Sequence, residues 1–405
     1  MIPEPTKDKF ILHSDLNCFF ASVATVLEPR YRGLPIAVCG DSEQRHGIVL
    51  AKSEAAKRMG VKTGMVTWQA KQLCPDLISV PPDYEAYEKF SRLTRGIYAR
   101  YTDYIEAFGI DECWLDITNI AKDISSATGI ANEIRIAVRE ELGLTVSIGV
   151  SFNKTFAKLG SDIKKPDAVT AIPYEGFREI VWPLPVESML GVGHATEKKL
   201  SSFGVRTIGD LASVPLDLLE HKFGKVGTGL WLCANGLDTS PVVSKDFSYP
   251  IKSVGHGSTV AKDLTANSQV WHLMLELSQE IGAKLRKHEK LARGIAVDIK
   301  TNTFEHLGWQ TVLSAPTANT QTLATEAYRL FLERYRWHSP IRSVTVRAIN
   351  LTESDTPTQL DVFTDTDQRI REEKLGKVID GLRDKYGDAI IRNAVLLENM
   401  YPDKE

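Results

Sequence analysis

No stretch of this 405-residue chain reaches the roughly 18 consecutive apolar residues that a membrane-spanning helix needs, so no such span is expected. The opening MIPEPTKDKF lacks a basic start followed by an apolar core, and a secretory leader is not expected either. The five cysteines, at 18, 39, 74, 113 and 233, lie far apart without a CxxC spacing. That pattern argues against a zinc site or a disulfide framework and for a reducing, cytoplasmic setting. No internal repeat and no low-complexity tract is present, which removes solenoids and disordered tails as the main architecture. Net charge is only −3, so the chain as a whole sets up no strong field of one sign.

That small total hides an uneven spread. Residues 241 to 350 carry 14 Lys/Arg against 9 Asp/Glu, whereas 351 to 405 carry 8 against 13. A basic module followed by an acidic tail suggests a polyanion partner for the first and a protein partner for the second. At 43% hydrophobic and 25% charged the chain can bury a core, and its length suggests roughly two to four units. KFILHSDLNCFFASV reads as a strand entering a helix, and LPIAVCG and GIVLAKS read as short strands. EAAKRMG is a helix stopped by Gly60, and YEAYEKFSRLTRGIYARYTD has helical spacing. IEAFGIDECWLDIT, the helix ATGIANEIRIAVREELG and the strand TVSIGVS complete a β-α-β-β-α-β order. This predicts an α+β sheet with helices on one face. FNKTFAKLGSDIKK is a further helix, ended by Pro166. Residues 174–240 read as helices, 241–250 as a Pro/Ser-marked linker, 251–350 as a second α+β module, and 351–405 as a tail with one charged helix.

Within the strand-like run around residue 112, Asp111 and Glu112 stand among Ile110, Cys113, Trp114 and Leu115. Burying unpaired carboxylates costs several kcal/mol each, so a cation is expected to face them. Neighbouring strand side chains point to opposite faces, and the two acids converge only if the backbone turns, which Gly109 permits. Asp15 ends the apolar strand FILHSD in a similar setting. If the two strands are neighbours, three hard oxygen ligands meet at one sheet edge, a donor set that suits Mg²⁺ with substrate phosphates. A hairpin tip is the alternative for an Asp-Glu pair taken by itself.

HSDLNCFFASVA resembles the opening of the Y-family translesion DNA polymerases, the DinB/UmuC group, and GIDECWLDIT resembles their second metal motif. GVSFNKTFAKLGSDIKKPDAV is similar to the end of their palm, and LGVGHATEKKLSSFGVRTIGDL to their thumb helix-hairpin-helix. The resemblance implies an α+β right-hand polymerase: palm at 1–22 and 84–173, small fingers at 23–83, helical thumb at 174–240 and an α+β little finger at 251–350. It also implies a soluble, monomeric, error-prone enzyme that adds dNTPs to primed template DNA with two Mg²⁺ ions. Asp15, Asp111 and Glu112 would hold the ions with the Leu16 carbonyl, Phe20 would exclude a 2′-OH, and Lys165 would bind the triphosphate. Most relatives carry Tyr-x-x-Arg in the fingers helix, where this chain has Glu54 and Lys57. Lysine replaces arginine as a point charge without its fork. Glu54 is expected to turn away and pair with Arg58, its i+4 neighbour.

In LGVGHATEKKL, Gly191 and Gly193 would let backbone N–H groups approach a DNA phosphate, with Lys198 beside them. Lys284, Arg286 and Lys287, with Lys290 and Arg293, are candidate phosphate contacts of the basic module; a solvated helix face is the competing reading. Gln359, Leu360, Asp361, Val362 and Phe363 resemble the pentapeptide that binds the bacterial sliding clamp, against a strand capping the preceding module. Two other classes compete with the polymerase reading. An inactive polymerase-like accessory protein would typically lose metal carboxylates, and all three are present. A metal-dependent nuclease or nucleotide cyclase leaves the thumb and little-finger motifs unexplained.

Overall fold

The computed structural model describes residues 3–4, 7–41, 47–356, 366–387 and 390–396, the side chains of 366–370 excepted. The chain divides into two compact units, which part between Ser248 and Tyr249.

The first unit begins with β1 (Ile11–Leu16), buried along its whole length, and α1 (Phe19–Leu27). β2 (Ile36–Cys39), β3 (Val49–Lys52), α2 (Glu54–Arg58), α3 (Thr67–Leu73) and β4 (Ile78–Val80) follow, the strands forming a sheet ordered β3-β2-β4. Its core is small, built on Ala37, Val49, Ala56 and Ala70. Next come α4 (Tyr84–Tyr98), β5 (Ile105–Ala107), β6 (Glu112–Asp116), α5 (Ile124–Leu142), β7 (Val146–Ser151), α6 (Lys154–Ile163) and β8 (Val169–Ile172). These four strands and β1 form a sheet ordered β5-β6-β1-β7-β8, so β1 lies at its centre, antiparallel to both neighbours.

Side-chain alternation gives this sheet two different faces. Leu12 and Leu16 of β1, with Ile148 and Leu115, enter a core shared with α1, α4 and α5. His13 and Asp15, on the opposite face, meet Ser161 on α6 and Lys165 just beyond it. Helices therefore cover both faces, not one as the strand order predicts. Gly149 makes the second layer possible: a Cβ there would lie 1.8 Å from the Ala157 carbonyl oxygen. Without that atom α6 presses directly on β7, and VSIGVS is buried throughout.

The helices α7 (Phe177–Val181), α8 (His194–Ser201), α9 (Ile208–Ser213), α10 (Leu216–Phe223) and α11 (Lys225–Ala234) share a core with Phe156 and Leu159 of α6. Residues 241–248, part of the stretch that the sequence marks as a linker, are stitched to the sheet edge. Val242 is buried with Ile11 and Trp114, and the Val243 N–H donates to Glu106 at 3.1 Å. Lys245 binds Asp103 through both its N–H and its ammonium, at 2.9 and 2.7 Å.

The second unit contains β9 (Ser253–Leu264), α12 (Asn267–Lys287), β10 (Lys290–Thr301), β11 (His306–Thr317), α13 (Thr320–Arg334) and β12 (Ile341–Glu353). Its antiparallel sheet is ordered β11-β10-β12-β9. Ile295, Val297, Val344 and Val346 pack under Met274, Leu277 and Phe331 of the two helices. Gly255, Gly257, Thr345, Arg347 and Gly308 lie on the other face by alternation. A last helix, α14 (Thr366–Tyr386), joins α12: Arg286 binds Asp380 with two hydrogen bonds of 2.5 and 2.8 Å. Among the described residues no helix is long and apolar enough to cross a membrane.

Candidate active site

Asp15 and Glu112 face each other across the β1–β6 ladder. Gly109 adopts φ +90°, a conformation that favours glycine, and the chain turns through residues 109–111 before β6 begins. The Leu16 N–H donates to the Asp111 carbonyl at 3.0 Å, which ties this turn to the end of β1. Asp111, Glu112 and Asp15 thus sit at one end of two neighbouring strands, near enough for their charges to interact.

Helix α6 supplies the cations. Residues 154, 158, 161 and 165 are spaced four, three and four apart, the spacing of one helix face continued past its end. Lys154 binds Glu106 at 2.7 Å, Lys158 binds Glu112 Oε2 at 2.7 Å, and Lys165 binds Asp15 at 2.6 Å. Ser161 hydrogen-bonds His13 Nδ1 at 2.9 Å, and His13 Nε2 approaches Glu112 Oε2 at 3.2 Å without a well-formed hydrogen bond.

These surroundings push the three acids apart. Burial raises the Asp111 carboxyl, and the charges of Asp15 and Glu112 carry it further, to about 6. Glu112 is buried too, but His13 and Lys158 outweigh that and hold it down at about 2. Burial raises Asp15, with Lys165 opposing. Burial lowers His13, with Glu112 opposing. Asp111 is thus the carboxylate whose charge most needs a further cation.

Among the described residues no group of three His, Cys, Asp or Glu side chains stands ready as a cage for an ion. Two of the three carboxylates are turned to lysines instead. The donor chemistry nonetheless fits Mg²⁺: the acids are hard oxygen ligands, Glu112 Oε1 has no hydrogen-bond partner among the described residues, and Asp111 is under-neutralised.

Phe20 on α1 stacks on Tyr87 of α4, ring centroids 4.0 Å apart and planes within 6°, and Tyr84 meets it edge-on. Cys18 precedes α1 with φ 50°, and its thiol, which burial raises to about 11, donates to Glu54 Oε1 at 3.2 Å. Glu54 also pairs with Lys57 at 3.4 Å, not with the Arg58 side chain as the i+4 spacing suggests. Arg58 Nε instead donates to the Glu54 backbone carbonyl at 3.3 Å.

Gly191 has φ +90°, while Gly193 caps α8 in extended backbone with open space around it, and Lys198 is exposed on that helix. On α12, Lys284 lies 3.9 Å from Glu280. Arg286 is a correction: it is mostly buried and committed to Asp380 and the Ala318 carbonyl, so it is not a free phosphate contact. Gln359, Leu360, Val362 and Phe363 lie outside the described residues. Sequence reading missed His13, Tyr87 and Lys158; the 154-158-161-165 spacing was the signal that could have found Lys158.

The chain matches the impB/mucB/samB family over residues 14–162 and that family's C-terminal domain over 251–362. Residues 187–238 match the thumb domain described for DNA polymerase iota. DNA polymerase IV of Acetivibrio thermocellus is 46% identical over 391 residues, covering 96% of this chain and 98% of the relative. DNA polymerase IV 1 of Bacillus subtilis is 34% identical over 395 residues, covering 97% and 94%. Among solved structures, the Y-family DNA polymerase chimera Dbh-Dpo4(243-245)-Dbh superposes with a TM-score of 0.76 at 25% identity, covering 85% of this chain and 99% of that one. With three carboxylates at one end of the inner strands of an α+β sheet and likeness to these relatives over nearly its whole length, the chain belongs to the impB/mucB/samB family, the Y-family DNA polymerases.

Proposed function

We propose that the carboxylates at the end of β1 and β6 are the catalytic centre of an error-prone, lesion-bypassing DNA polymerase acting on primed template DNA and dNTPs. The observation that carries this reading is the convergence of Asp15, Asp111 and Glu112, with Asp111 left short of positive charge. Asp15, Asp111, Glu112 and the Leu16 carbonyl would hold two Mg²⁺ ions. When bound, the ions supply activation of the primer hydroxyl and stabilisation of the leaving oxygen.

The chain's own residues do the rest. Lys165 turns from Asp15 to the triphosphate when nucleotide enters, and Lys57 adds a second positive charge. Phe20, backed by Tyr87, presents a rigid ring where a 2′-OH would have to fit. The five-stranded sheet is the palm (1–22 and 84–173), residues 23–83 are the fingers, 174–240 the thumb and 251–350 the little finger. Backbone N–H groups around Gly191 and Gly193, with Lys198, grip DNA phosphates, and Lys284 and Lys287 add salt-sensitive contacts. Gln359 to Phe363 engages a bacterial sliding clamp, and the enzyme works as a cytoplasmic monomer.

Primer extension by the purified protein tests the reading. Asp15→Ala and Glu112→Ala should each abolish nucleotide addition and leave primer-template affinity nearly unchanged. Normal extension by either variant would refute the assignment.

A further inference from the structure

Glu112 offers its two carboxylate oxygens to different neighbours. Oε2 receives the Lys158 ammonium at 2.7 Å and His13 Nε2 at 3.2 Å, whereas Oε1 has no hydrogen-bond partner among the described residues. The Lys158 and Glu112 side chains are both less than one-fifth exposed, at 17% and 19%. The ammonium also lies over the Phe108 ring, 5.6 Å from its centre, and no other carboxylate pairs with it among the described residues.

The backbone beneath Lys158 is fixed as well. Trp114 Nε1 donates to the Lys154 carbonyl at 3.0 Å, His13 holds Ser161, and Gly149 seats the helix directly on β7. Releasing Oε2 would take from a largely buried ammonium the one carboxylate that pairs with it directly among the described residues, which is costly.

We propose that Lys158 is a positioning residue that keeps Oε2 of Glu112 occupied, so that Glu112 presents only Oε1 to an ion and the site favours small, six-coordinate ions. This rests on the reading of Glu112 as a metal ligand. Mg²⁺ demands near-octahedral geometry with few carboxylate oxygens, whereas Ca²⁺ accepts six to eight oxygens and readily takes both from one carboxylate. A Glu112 freed to offer both oxygens would therefore gain more for Ca²⁺ than for Mg²⁺. Such outer partners of metal ligands typically alter metal affinity by about 10- to 100-fold.

The test measures ion binding without turnover. Full-length protein is loaded with a primer ending in a dideoxynucleotide and the matching dNTP. Bound Mn²⁺, followed by its EPR signal, is then displaced by Mg²⁺ or by Ca²⁺. Lys158→Met should shift the relative strength of the two displacers about tenfold toward Ca²⁺, and Lys158→Arg should keep the parental ratio. A folded Lys158→Met protein with the parental ratio would overturn the proposal, as would an equal shift in both variants, which would indicate packing.

Asp15→Ala separates this from failure of the metal-site reading. Parental Mn²⁺ binding by that variant removes the metal site and the proposal together. Loss of binding there, with an unchanged ratio in Lys158→Met, removes only the proposal. A measurement on the unmutated protein covers a variant that does not fold. Labelling with acetic anhydride, read by mass spectrometry, should find Lys158 protected equally with and without Mg²⁺; exposure on adding Mg²⁺ would overturn the assignment.

Discussion

Replacing Gly149 by alanine should push α6 off the sheet and disable the site from behind. The new methyl would lie 1.8 Å from the Ala157 carbonyl oxygen and 2.5 Å from the Ser161 nitrogen, both backbone atoms. No side-chain rotation can relieve a clash with backbone, so the helix must retreat by roughly 1.5 Å to restore van der Waals contact. Gly160 lies against the same point, a Cβ built on it falling 3.0 Å from the Gly149 Cα, so the helix has little room to slide. Overpacking of this kind costs typically 1–3 kcal/mol, and the upper end, about 3 kcal/mol, applies where nothing flexible can give. For a unit of this size that lowers Tm by roughly 6–12 °C. The Lys158 ammonium rides on α6, and a displacement of about 1 Å can cost 100-fold in rate. Thermal melting and single-turnover extension on the same preparation measure both effects. Gly129→Ala is the control: it is exposed on α5 with nothing within 4 Å, and should be neutral or gain up to about 1 kcal/mol from helix propensity. If Gly149→Ala melts and extends like the parent, the close seating of α6 is not what holds the site.

Three further outcomes are expected. Phe20→Ala should admit ribonucleotides with little loss of dNTP addition, and an unchanged preference in paired incorporation assays would place the gate elsewhere. Glu54→Ala should free Lys57 and lower the dNTP KM modestly, and Lys57→Ala should raise it roughly 10- to 100-fold, the weight of one charge-assisted contact; steady-state kinetics equal to the parent would count against Lys57. In metal-free protein Asp111 ionises near 6 when folded, against an ordinary value of 3.8. Its contribution to stability is therefore complete below about pH 4 and lost as pH rises through 6. Asp111→Asn, which does not titrate, should gain on the order of 1 kcal/mol over the parent between pH 4.5 and 7 once solvent screening is allowed for. Glu112 shifts the other way, toward about 2, and so loses its contribution only below that window. A melting difference that stays flat across those pH values would contradict the crowding at Asp111.

Much of the first unit was legible in the sequence because its signals are local. FILHSDL announces β1, and Gly109 announces the turn that brings Asp111 beside Glu112. What escaped depends on partners distant in the chain. VSIGVS reads as a strand, yet nothing within those residues says that a helix covers its second face. Lys158 looks like a solvated helix lysine until its partner, 46 positions earlier, is brought to it by the β6–β1 ladder. Arg286 likewise reads as surface charge until Asp380 claims it from 94 positions away. Composition marked 241–250 as a linker, but one buried valine and two acids on the β5 edge were enough to fasten its first part. The Glu54 pairing failed for a subtler reason. Helix spacing allows i+3 as well as i+4, and the Cys18 thiol helps set the carboxylate's direction.

The lysines on Glu112 and Asp15 also bear on how this protein comes into being. Crowded carboxylates ordinarily resist being folded together, and many small metal-binding domains stay unfolded until their ion arrives. Here two of the three negative charges already have counter-ions carried by the same chain. Newly made protein is therefore expected to reach its final shape before meeting an ion and to keep that shape after losing one. A chelator such as EDTA should stop extension while leaving the melting transition close to that of the Mg²⁺-loaded protein. Ion supply would then decide when the molecule acts, and have little say in whether it is folded.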